Sequence, residues 1–385
     1  MKQKLFIALF ILSLIGPPVS FMLVKDFVDT ENYENRTLAS FPRLAWDNVE
    51  QIPGEFEAFL NDHAPYKNFF VNLNTRLETR LFGVASVAPI TVGTDNWLFY
   101  TVDAEGEDAL SDYQHVNLYT TDEQEEISGK IQSVVEEMAE QGIRFYVFEA
   151  PNKERIYGKY MPKSIHVYGP KSRLDAIIPE LQNKGLPVYD LADSLRKYAE
   201  DYQVFCKYDT HWNLVGSFLA SQQISQVVFG NSVPLEEITI VPGDETSGDM
   251  ASMLNMVNEF HDDVSFSIEG YLPEITAEKA EPSEHEGITV FHSDSPNEQT
   301  LLVIADSFGE ALMPFLPKLY QTAVFSTFTS YTPELFSWYD VDDVIYLNVE
   351  RNQRYFERIP EVVNGTYAGI AGEEESAAVL ESGLE

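Results

Sequence analysis

One cysteine, Cys206, in 385 residues excludes an intramolecular disulfide and any multi-cysteine metal centre. Between Phe205 and Lys207 it reads as a small packed residue rather than a nucleophile. Basic residues are scarce too: 25 Lys and Arg stand against 62 Asp and Glu, a formal charge of -37. Such a surface repels phosphate backbones and anionic lipid headgroups, which excludes nucleic acid as a partner and basic-patch attachment to a membrane. Glycine-rich phosphate loops are missing. Of the seven histidines (His63, His115, His166, His211, His261, His285 and His292), no two are spaced as in a zinc helix motif. No metal and no cofactor are expected.

What is present is enough apolar material, 44% hydrophobic with 13% aromatic, to bury one large core or two modest ones. Residues 5 to 24 carry no charge and follow Lys2 and Lys4. The stretch is long enough to cross a bilayer with its amino terminus in the cytoplasm. Its length and the lack of a small-x-small cleavage pattern favour an anchor over a removable signal. Residues 1–25 are therefore read as a membrane anchor or signal segment that places the rest outside the cytoplasmic membrane. Residues 26–90 follow as an extended arm at 31–42 and a helical lead-in at 52–81, where Phe56, Phe59, Leu60, Phe69, Phe70 and Leu73 recur at helical spacing.

Residues 91–370 read as an α/β domain. A Gly-x-Asp-Asn turn between apolar runs at 92–100 predicts a hairpin. Helix, glycine, buried strand then recurs, the unit of an open and mainly parallel sheet flanked by helices. It appears at 121–150, with a capping box expected from Thr121 and Gln124, and again at 171–202. Further strands are expected at 300–305, 322–328 and 343–349, and a helix at 213–229. The acidic, proline-containing stretch at 272–287 reads as a solvated excursion. The acidic tail at 371–385 reads as disordered.

Two places carry chemistry. Asp209-Thr-His211 puts a carboxylate two residues before an imidazole that could exchange a proton. Such an imidazole needs an anion on its far nitrogen to fix its tautomer. Ser307 sits where the strand at 300–305 ends and a helix can begin, the end of a parallel strand where ligands bind, with free N–H groups in the first turn. Each has a plain structural alternative: Ser307 as a helix cap, Asp209 as a cap for the helix at Asn213, Trp212 as core. The catalytic reading requires Ser307 within hydrogen-bond reach of His211, with Asp209 on the other ring nitrogen.

Asp209-Thr-His211-Trp212-Asn213, followed by Asp306-Ser307-Phe308, resembles the SGNH-hydrolase-like domain of alginate O-acetyltransferases and DHHW-type extracytoplasmic proteins. The Asp-x-His pair precedes the serine in that family, as it does here. Glu34-Asn-Arg-Thr-Leu38, Gly93-x-Asp95-x-Trp97-Leu-Phe-Tyr100, Pro151-Asn-Lys153, Gly248-Asp-Met-Ala-x-Met-Leu254 and Glu350-Arg-Asn352 extend the likeness. It departs at Ala305 and Asp306, where a glycine often precedes the nucleophile, and in lacking an evident carbohydrate-binding module. The resemblance implies an SGNH-like fold with Ser307 as acyl-accepting nucleophile, His211 as acid and base, and Asp209 as its orienting carboxylate. Backbone N–H groups near Ser307 to Gly309 are expected to hold the oxyanion, and Phe308, Gly309, Asn213, Lys153 and Arg351 are the candidates for oxyanion or substrate contacts. It also implies a polysaccharide acceptor and a membrane-bound O-acyltransferase that supplies acetyl groups. The competing expectation is an inactive glycan-binding or assembly protein on the same scaffold, with Tyr331, Trp338 and Tyr339 stacking on sugars.

Overall fold

The computed structural model describes residues 2–25, 28, 38–43, 51–82, 88–104, 106–281 and 285–367. Most of the arm at 31–42, including the stretch from Glu34 to Arg36, lies outside these residues, as does the acidic tail. The centre is a seven-stranded sheet. Val188–Asp190, Arg144–Ala150, Asp343–Val349, Thr300–Ala305 and Thr322–Thr327 lie side by side in parallel, in that order. Ile288–Ser293 and Ala277–Lys279 continue the sheet antiparallel beyond Thr322–Thr327. This is the α/β, mainly parallel sheet with flanking helices that the sequence led us to expect.

Continuous apolar runs form the central strands because both faces of the sheet are covered. Along Thr300–Ala305, Leu301, Val303 and Ala305 join the core beneath helix Leu214–Phe229, while Leu302 and Ile304 join the opposite core with Ile127, Ile131 and Val134 of helix Thr121–Glu140. That alternation follows from the two-residue period of a strand. Helix Thr121–Glu140 starts on a capping box set one residue earlier than expected. The Thr120 hydroxyl accepts from Glu123 N–H at 3.3 Å, and the Glu123 carboxylate accepts from Thr120 N–H at 2.7 Å.

Four local expectations need correction. The lead-in is two helices, Ile52–Asp62 and Lys67–Phe82, broken where Tyr66 takes a left-handed φ of 60°. The acidic excursion is not wholly solvated backbone, since Ala277–Lys279 pairs with Ile288–Ser293. After Ser307 the chain forms a 3-10 turn, Ser307–Leu312, rather than an α-helix. The expected membrane span is not supported: Lys2–Val24 folds as one helix with Pro17 and Pro18 inside it, yet among the described residues no helix is long and apolar enough to cross a membrane. The hairpin forms as expected, from Ile90–Val92 and Leu98–Tyr100.

Helix Leu214–Phe229 can dock tightly because Gly216 lies against the chain at Val204, where an added Cβ would stand 2.0 Å from the Val204 carbonyl oxygen. Backbone cannot yield as a side-chain tip can. Gly216→Ala is expected to lower stability by about 2–3 kcal/mol, read from the midpoint of urea unfolding; an unchanged midpoint would show that the contact is slack.

Candidate active site

The carboxyl ends of three neighbouring parallel strands converge on one edge of the sheet. Thr300–Ala305 delivers Asp306 and Ser307, Asp343–Val349 delivers Glu350 and Arg351, and Arg144–Ala150 delivers Asn152 and Lys153. The histidine arrives separately, on a tight hairpin in which Phe205 bridges Trp212 and Cys206 N–H donates to the His211 carbonyl at 3.1 Å. Buried Trp212 packs edge-on against Phe308, so the hairpin is fixed by the residue that follows the serine.

These elements bring Asp209, His211 and Ser307 into one hydrogen-bonded chain. Ser307 Oγ lies 2.7 Å from His211 Nε2, and Asp209 Oδ1 lies 2.7 Å from His211 Nδ1. With Nδ1–H donating to the carboxylate, Nε2 is left as an acceptor for the serine hydroxyl, the tautomer a general base requires. Asp209 is held in turn by the N–H of His211 and by that of Asp249, each at 3.0 Å. Ser307 is exposed while the ring and its carboxylate are half-buried, so a reactant has access from one side.

The model of the SGNH hydrolase-like domain of the acetyltransferase AlgX matches residues 90–325. The chain belongs to that family. It is 26% identical over 208 residues to the probable alginate O-acetylase AlgJ of Pseudomonas aeruginosa, which covers 52% of this chain and 49% of that protein. The chain thus spans about half the length of the curated relatives it matches. Solved structures with a similar course include a DHHW family protein from Eubacterium siraeum, 16% identical, with 71% of this chain and 97% of that one covered at a TM-score of 0.49. Another is Bacillus cereus PatB1, 17% identical, covering 68% and 96% at 0.49.

The other candidate contact residues have different surroundings from those expected. The Phe308 N–H donates to Asp306 Oδ1 at 3.0 Å, and the Gly309 N–H donates to the Asp306 carbonyl at 3.0 Å. Neither donor is turned toward an oxyanion beside Ser307. Gly309 is there for packing, since a Cβ would stand 2.6 Å from that of Ala305. Ser307 opens the turn, so its own N–H has no acceptor within the helix. Asn213 caps helix Leu214–Phe229, accepting from Val215 and Gly216 N–H at 3.0 and 3.1 Å while its amide donates to Gln203. Lys153 is buried, and its ammonium donates to the carbonyls of Leu98 at 3.1 Å, Lys207 at 3.3 Å and Asp209. The guanidinium of Arg351 lies 5.5 Å from the centre of the Phe308 ring and pairs with Glu107 at 3.1 Å. All five therefore shape the surroundings of the three aligned residues. Tyr331, proposed as a sugar-stacking residue, is buried with its hydroxyl on the Val363 carbonyl, whereas Trp338 is exposed and stacks on His285.

Sequence reading missed Asp249. Its carboxylate accepts from Thr210 N–H at 2.8 Å and from the Thr210 hydroxyl at 2.6 Å, and Oδ2 stands 4.0 Å from His211 Nδ1. The signal available was the Gly248-Asp249 pair. Gly248 is needed because a Cβ there would meet the Tyr208 carbonyl oxygen at 2.4 Å and Asp209 N at 2.7 Å. Among the described residues Asp209, His211 and Asp249 are also the group of side chains that gathers closely enough to hold a metal ion, within 4.8 Å of one another. A metal on Nδ1 would displace the Asp209 hydrogen bond.

Desolvation of the His211 ring pulls its pKa down, but the hydrogen bond and charge of Asp209, reinforced by Asp249, more than offset it, leaving the pKa above its ordinary value of 6.5. Burial works against ionisation of Asp209 as well, yet the bond to His211 and the two backbone N–H groups hold it well below the usual carboxylate range. The imidazolium is stabilised because its partner stays anionic. An NMR titration is expected to place the His211 midpoint above 6.5, and Asp209→Asn should move it down. A midpoint indifferent to Asp209→Asn would separate the two residues electrostatically.

Proposed function

We propose that this protein is an extracytoplasmic O-acetyltransferase that acetylates hydroxyls of a cell-surface or exported polysaccharide through an acyl-enzyme on Ser307. The observation that carries the reading is the Asp209, His211, Ser307 chain at the carboxyl end of a parallel strand. Membership of the AlgX acetyltransferase family and likeness to alginate O-acetylases support the acetyl and glycan parts. A membrane-bound acyltransferase is the proposed acetyl source, as the resemblance implies.

In the first half-reaction Ser307 Oγ attacks the acetyl carbonyl of the donor while its proton passes to His211 Nε2. The Ser307 N–H, left without an acceptor at the start of the turn, is the donor proposed for the oxygen that gains charge. Collapse breaks the bond to the donor oxygen, which leaves with the proton from His211, and Ser307 carries the acetyl group. In the second half a sugar hydroxyl gives its proton to His211 and attacks the ester, and Ser307 recovers a proton as the acetylated sugar departs. Water in place of the sugar makes the same site an esterase, so exclusion of water sets the balance between the two outcomes.

Because the base must be neutral, ester cleavage should rise with pH through the elevated His211 pKa and be lost below it. With 4-nitrophenyl acetate as donor, Ser307→Ala is expected to abolish enzyme-dependent nitrophenolate release, and Asp209→Asn to slow it by about 10³–10⁴-fold. Release that survives Ser307→Ala would remove the nucleophile from the mechanism, and the absence of enzyme-dependent release from the unsubstituted protein would favour the inactive-scaffold alternative.

A further inference from the structure

Next to the catalytic residues, on the same edge of the sheet, lies a cavity of about 300 Å³ whose lining includes Asp112, Tyr113, Asn152, Glu154, Arg155 and Glu350. Two loops connect it to the site. Asn152 and Glu350 face the cavity, while the next residue in each chain, Lys153 and Arg351, supports Asp209 and Phe308. The lining is built of side chains that are almost wholly buried and yet incompletely partnered. Asn152, Glu154, Asp112 and Glu350 are 2%, 3%, 2% and 1% exposed; Asn152 Nδ2, Glu154 Oε1 and Asp112 Oδ2 have no hydrogen-bond partner, and Glu350 Oε1 has none beyond an ion pair with the Arg155 guanidinium at 3.6 Å. Native interiors rarely leave so many polar atoms unmatched in one place.

We propose that this cavity is a subsite for one pyranose ring of the acceptor glycan, a reading that rests on the O-acetyltransferase assignment. The unmatched atoms comprise both donors and acceptors, which is what sugar hydroxyls, themselves donors and acceptors, can satisfy. A bare cation would need acceptors alone, and among the described residues the close metal-ligating group is the one around His211, not this one. Burial, aided by the charge of Glu350, raises the Glu154 carboxyl to about 8, so at neutral pH it too can donate to a hydroxyl. The volume is at the small end of ligand pockets and suits a single ring. The half-buried Tyr113 supplies an apolar surface for ring C–H groups. With carboxyl groups outnumbering cations around the cavity, an uncharged sugar is favoured over a uronate.

Val167, 47% exposed, and the exposed Arg196 border the cavity at the surface. Val167→Trp would narrow this mouth without disturbing the buried network or the three catalytic residues. Binding of cellotetraose, chitotetraose and tetramannuronate to the full chain is followed by saturation-transfer NMR, with nitrophenyl acetate cleavage measured in parallel. Saturable binding of a neutral tetraose is expected, weakened at least about ten-fold by Val167→Trp, while acceptor-free cleavage stays unchanged. Absence of saturable binding by all three probes overturns the assignment, as does binding that Val167→Trp leaves unaltered. Either result leaves the acetyl-transfer reading standing or falling on Ser307→Ala alone.

Discussion

The carboxyl edge of this sheet depends on a buried cation satisfied by carbonyls alone. The Lys153 ammonium has three donors, and it spends them on the backbone of Leu98, Lys207 and Asp209, joining the hairpin, the histidine loop and the end of a central strand. Burial depresses its pKa to about 8, against the pull of the Asp209 charge. An ammonium held this way is tolerable only because every donor is matched. Removing it would take a donor from the Leu98, Lys207 and Asp209 carbonyls, leaving Lys207 with only the Leu98 N–H at 3.2 Å, and would loosen the segment that sets the position of Asp209. The backbone of that segment is what allows one carboxylate to reach both the His211 N–H and its ring nitrogen.

Around this pin the site is layered by charge. Asp209 stays ionised because His211 and two backbone N–H groups compensate it, whereas Asp249 and Asp306, equally enclosed, are shifted the other way by desolvation. One anion is thus set against Nδ1, and the neighbouring carboxyls serve as scaffold: Asp249 by fixing Thr210, Asp306 by bracing the serine turn onto Val349 at 2.7 Å. The position of Asp306 accounts for a residue that departs from the family pattern, since a glycine there could not hold both Phe308 and Val349 N–H groups.

The sheet and the three aligned residues were legible from the sequence because their signals are local. Apolar runs of strand length, glycines after helices, and an Asp-x-His pair can all be read without knowing what lies across the sheet. The roles of Asn213, Lys153, Phe308 and Gly309 were not legible, because each depends on where a particular carbonyl or N–H points after folding. Asn213 looks the same in sequence whether it caps a helix or faces a substrate. The break at Tyr66 was hidden for a related reason: apolar spacing runs across it, and only the left-handed backbone there divides the helix. Asp249 escaped notice because its partner, Thr210, lies 39 residues away.

The central claim is that Ser307 carries an acyl group between two oxygen nucleophiles. Its most direct test is to mix the full chain with an acetyl ester, quench within the first turnovers, and locate added acetyl by peptide mass spectrometry. The account predicts one acetyl group on the peptide containing Ser307, retained longer at low pH where His211 is protonated and cannot activate the acceptor. Turnover with Ser307 unmodified at every time point, or with the acetyl group on another residue, would contradict it.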